Sequence, residues 1–101
     1  MSSFVRLTLV FPPAIEEALS EALITAPQSP GFTLLHAQGH GSDFPHASTA
    51  EQVRGSIDRR IAWVVLESEA LHPLIEVIRA RVRSHEVVWW AEPVLERGRL
   101  A

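Results

Sequence analysis

The residue pattern predicts an α+β domain, built as one four-stranded antiparallel sheet with two helices packed on one of its faces. Three observations carry that expectation. Four apolar runs have the alternation or β-branched content of strands, and two longer runs repeat their apolar residues at helical spacing. The segments follow one another as βαββαβ, so each helix connects one strand to another.

The first strand is expected over Phe4 to Phe11, with Val5, Leu7, Leu9 and Phe11 on one face and Arg6, Thr8 and Val10 on the other. Pro12-Pro13 ends it and can open a helix, because a first-turn proline gives up no intrahelical hydrogen bond. Ile15, Ala18, Leu19, Ala22, Leu23 and Ala26 then form one apolar stripe, and Glu16 and Glu17 suit the positive end of the helix dipole. Pro27 to Pro30 ends this helix and Gly31 begins the second strand. A third strand is expected over Ser56 to Leu66, its charged start projecting beyond the core and its apolar half buried from Ile61 onward. Ser68 is the expected N-cap of a second helix carrying Leu71, Leu74, Ile75, Ile78 and Val82, provided that Pro73 falls in the first turn. Val87 to Ala91 is the last strand, and Pro93 favours an edge position for it. This is the split βαβ arrangement of ferredoxin-like folds. The tail 96–101 shows no pattern.

Two adjacent antiparallel strands need a link of only a few residues, yet about a dozen polar ones lie between the second and third strands. Function is therefore expected in or beside a flexible loop at about residues 41–55. The two tryptophans at 89 and 90, with Trp63, also leave the helix-free face too apolar for water, so packing of sheet faces between protomers is expected.

Composition bounds the rest. A chain of 101 residues with 47% hydrophobic and 21% charged residues fits one domain, 1–101. A net charge of −3 argues against a dedicated nucleic-acid binder, and Arg79 to Arg83 reads as a solvated helix face. The absence of cysteine removes disulfides, thiolate nucleophiles and cysteine-based zinc sites. Met1-Ser2-Ser3 runs directly into a strand, with no basic leader or bilayer-length apolar segment, so a cytoplasmic location without membrane insertion is expected.

The second strand ends in Gly39-His40-Gly41, and the segment leaving the loop is Glu51-Gln52-Val53-Arg54-Gly55. With this element order, the chain resembles the PII-like superfamily, the trimeric signalling proteins related to nitrogen regulatory PII and the copper-tolerance protein CutA. More closely it is similar to an uncharacterised PII-like family that accompanies heavy-metal efflux systems in bacteria. The resemblance implies a homotrimer, a mobile loop, and a ligand held at clefts between subunits by Gly39, Gly41, Glu51, Arg54 and Gly55. It also implies a partner protein, such as a membrane transporter or its regulator. The departures weigh against ATP binding of the PII type. Ser42-Asp43 follows the glycines and Ser84-His85-Glu86 precedes the last strand, where PII proteins place amide, basic and Gly-rich elements. Val53 stands where some PII proteins carry a modified tyrosine, and the chain has no tyrosine.

His36, His40, Asp43 and His46 fall within one short stretch, and imidazole and carboxylate suit zinc, copper, nickel or cobalt. On a straight strand His36 and His40 share a face but stand about 13 Å apart, so the loop would have to bring ligands together. Ordinary polar loop residues are the competing reading. Glu51, Arg54, Asp58, Arg59 and Arg60 are open to ion pairs between subunits or to a solvated hairpin stem. His72 and His85 read as surface residues at the two ends of the second helix. No nucleophile–base arrangement stands out, so an enzyme is not expected. The alternatives to a PII-like regulator are a metal-binding accessory without signalling and a small dimeric ferredoxin-like enzyme of the monooxygenase kind. The latter would have Trp and His residues lining a cavity between sheet and helices.

Overall fold

The computed structural model describes residues 3–40 and 56–101. The chain forms β1 (Phe4–Phe11), a 3₁₀ turn (Pro13–Ile15), α1 (Glu16–Thr25), β2 (Thr33–Gly39), β3 (Ile57–Glu67), a second 3₁₀ turn (Ser68–Ala70), α2 (Leu71–Arg81) and β4 (Val88–Val94). The sheet order is β2-β3-β1-β4 with every neighbouring pair antiparallel, so the expected ferredoxin-like α+β fold is the one observed. The apolar strands β1 and β3 are interior; β2 and β4 are the edges, and Pro93 sits on the edge strand β4, as expected.

Alternation sorts the side chains. Leu7, Leu9 and Phe11 of β1 and Ala62, Val64 and Leu66 of β3 face the helices and are buried with Leu19 and Leu23 of α1 and Leu74, Ile75 and Ile78 of α2. Ala18 is exposed rather than part of the apolar stripe, because it stands at the stripe's border with a side chain too short to reach the sheet. Gly31 lies outside β2, at φ +125, a conformation that glycine tolerates and side-chain-bearing residues rarely adopt; the strand starts at Thr33.

Two local expectations are corrected. The start of β3 does not project: it pairs with β2 as far as Gly39↔Ile57, and Ser56, Ile57 and Arg59 are buried. Arg59 donates from Nη1 to the Asp58 carbonyl at 2.9 Å, which keeps a buried guanidinium partnered. Ser68 does not cap α2. The chain enters the helix through a 3₁₀ turn whose N-cap is Glu67, leaving Ser68 inside the turn and next to the start of β1. There its N–H donates to the Ser3 carbonyl at 2.9 Å and its hydroxyl meets that of Ser3 at 2.7 Å. Pro73 lies in the first turn of α2, as its chemistry requires. No helix among the described residues is long and apolar enough to cross a membrane.

Candidate functional site

The end of the sheet from which residues 41–55 continue is built by β2 and β3. Their last pairs are His36↔Arg60, Ala37↔Arg59, Gln38↔Asp58 and Gly39↔Ile57. His36 and Gln38 share the helix-side face of β2 with the core residue Leu34, and Arg60 and Asp58 stand opposite them on β3. An open depression of about 530 Å³ is lined by His36, Ala37, Gln38, Asp58 and Arg60. Arg60 donates from Nε to Glu16 Oε1 at 2.8 Å, tying the rim of the depression to the first turn of α1. That ion pair lies within one protomer, so Arg60 is already engaged inside its own subunit.

Of the residues expected to bind a ligand, Gly39 is described at the last position of β2; Gly41, Glu51, Arg54 and Gly55 lie outside the described residues. Of the expected metal ligands, His36 is exposed on β2 and His40 is exposed just beyond it, while Asp43 and His46 lie outside the described residues. Among the described residues no three His, Asp or Glu side chains gather closely enough to hold an ion. The described part of the site is thus one imidazole, one carboxylate and one guanidinium lining a polar depression, with Gly39 and the exposed His40 at the end of β2 beside it.

The helix-free face has a different chemistry. Thr33, Trp63, Thr8 and Trp90 form one row across all four strands, flanked by the row Leu35, Ile61, Val10 and Val88. Arg6 lies over Trp63, its guanidinium carbon 4.6 Å from the ring centroid, and donates to Glu92 Oε1 at 2.8 Å. Trp90 and Val88 are about half exposed, at 47% and 50%. Trp89, expected on this face too, pairs with Leu9 and lies on the helix side instead, because successive strand residues point to opposite faces. Such a continuous apolar surface is unusual on a chain that functions alone.

The fold recurs in solved structures. A DUF3240 family protein from Shewanella baltica OS155 superposes with a TM-score of 0.79 at 17% identity, over 100% of both chains. CPII, a nitrogen regulatory PII-like protein from Thiomonas intermedia K12 bound to ADP, AMP and bicarbonate, gives 0.68 at 19% identity over 95% of this chain and 96% of its own. Arabidopsis thaliana PII bound to citrate gives 0.70 at 17% identity, over 92% of this chain and 78% of its own. At these identities the likeness is one of fold. No curated protein matches in sequence. The sequence profile of the protein family of unknown function DUF3240 matches residues 1–101, and the chain belongs to that family.

Proposed function

We propose that the protein is a PII-like regulator: a homotrimer that binds a small ligand or transition-metal ion at the clefts between subunits and reports it through residues 41–55. The observation that carries this reading is the pairing of two unfinished surfaces in one fold shared with PII-like proteins. One is the apolar face of β1, β3 and β4, which a second and third copy would cover; the other is the end of β2 and β3 next to residues 41–55, with its His36, His40 and Asp58. A ligand that contacts the 41–55 segment in only one of its conformations shifts the population by its differential affinity. The partner that reads this state is, on this proposal, a metal-efflux transporter or its regulator.

In the metal form of the proposal, His36 and His40 supply imidazole nitrogens and Asp43 and His46 complete the set; Gly39, Gly41, Glu51, Arg54 and Gly55 form the rest of the ligand cleft. Calorimetric titration of metal-free protein with Zn²⁺, Cu²⁺, Ni²⁺ and Co²⁺ is the direct test. Saturable binding with proton release is expected, weakened by more than about tenfold in His40→Ala/His46→Ala, since loss of ligating imidazoles removes most of the affinity. Unchanged affinity in that variant ends the metal form. Light scattering is expected to give a trimer, and a dimer would move weight to the small-enzyme alternative.

A further inference from the structure

Between the C-terminal half of α2 and the start of β4 lies a second cleft, of about 400 Å³, within the size range of small-molecule sites. Its floor is apolar: Leu9 of β1 and Ile75 and Ile78 of α2 are buried beneath it, and the indole of Trp89 forms one wall. Its mouth is basic, with Arg79, Arg83 and His85 lining the rim. His72 is exposed, as expected of a surface residue, and its ring meets that of Trp89 edge-on, with centroids 6.5 Å apart and planes at 82°.

Among the described residues, one of the cationic groups at the mouth is paired and the other basic groups are not. Arg79 is paired with Glu76 one turn away, but neither Arg83 nor His85 makes an ion pair or hydrogen bond with a described residue. Ser84, between them, accepts from the Glu86 N–H at 3.1 Å, and the Glu86 side chain does not line the cleft. Two arginines against one glutamate leave a single positive charge, with the His85 ring N–H as an added donor.

We infer that this cleft binds a small organic monoanion: a carboxylate held by Arg83 and His85, carried on an aromatic or branched apolar body that lies against Trp89 and Ile78. One net positive charge balances one carboxylate and falls well short of a polyphosphate. An apolar floor capped by a guanidinium rewards a ligand that has both parts and neither part alone. The site is formed within one protomer by α2, β1 and β4. It shares no residue with the ligand or metal set proposed above, so it stands or falls independently of that reading.

The test is amide NMR of the full chain titrated with phenylacetate, and separately with phenylacetamide, inorganic phosphate and AMP. Phenylacetate is expected to give saturable shifts at residues 75–89. Its uncharged amide should bind about tenfold more weakly, the usual worth of a charge-assisted bond. Arg83→Ala/His85→Ala should weaken phenylacetate by about tenfold or more while Arg99→Ala leaves it unchanged. Equal binding of phenylacetamide, tighter binding of phosphate or AMP at the same residues, or an absence of shifts around the cleft would each overturn the inference. The ligand series on the unaltered protein decides the matter even if the double variant folds poorly.

Discussion

Both faces of the sheet carry apolar residues, and these have opposite fates. On the helix side, Leu7, Leu9, Ala62 and Val64 are almost fully enclosed, because α1 and α2 supply the matching stripes. On the other side, Val65, Val88 and Trp90 keep between a third and a half of their surface. The described residues complete one hydrophobic layer and leave the other open, and in the proposed trimer a second and third copy cover it. On that proposal the helix-side residues set whether the protein folds, and the open-face residues set whether it assembles.

Substitutions on the two faces should separate these roles. The largest effect is expected from Leu74→Ala, which empties a fully buried position between α2 and the sheet; urea unfolding should show a loss of about 2–5 kcal/mol. Next comes Trp90→Glu. A charge in the middle of the open face should convert the assembly to monomers in light scattering, a weakening of about thirtyfold or more, as for an aromatic interface anchor. The far-UV circular dichroism should be unchanged; unfolding instead would mean that the open face is part of the core. A smaller and opposite effect is expected at Thr8, whose hydroxyl is buried between Trp63 and Trp90 with no hydrogen-bond partner among the described residues. Thr8→Val removes that orphaned group at constant shape and should leave stability equal or raised by up to about 1 kcal/mol. The smallest effect concerns Arg6 and Glu92, which are 37% and 42% exposed. A double-mutant cycle with Arg6→Ala and Glu92→Ala should return about 0.2–1 kcal/mol of coupling, because solvent screens a pair that open. A clearly larger coupling, measured in the assembled protein, would show that a neighbouring copy covers the pair.

Much of the fold was legible because its signals are local. Strand alternation in Phe4 to Phe11, the stripes Leu19–Leu23 and Leu74–Ile78, and the breaks at Pro12-Pro13 and Pro27 to Pro30 each depend on neighbours within a few residues. The errors arose where a distant segment competed. Ser68 has the chemistry of an N-cap, but the start of β1 lies alongside and takes its N–H and hydroxyl. The charged start of β3 has the composition of an exposed stem, but its pairing with β2 holds Ile57 and Arg59 in the sheet. The basic cleft was missed for the same reason. Arg79, Arg83 and His85 read as a solvated helix end, and only the turn from α2 into β4 sets them above Ile78 and Trp89.

By itself, then, the sequence determined the element order, the fold class, the apolar character of both sheet faces and the position of the long connection between β2 and β3. These follow from periodicity and from the backbone limits of proline and glycine, which act within a few residues. The tertiary structure alone decided that Arg60 pairs with Glu16, that Thr8 is buried between two tryptophans, and that a basic mouth stands over an apolar floor beside α2. Those outcomes join residues far apart in the chain, and their partners are set by sheet register and helix packing rather than by any pattern that the residues carry.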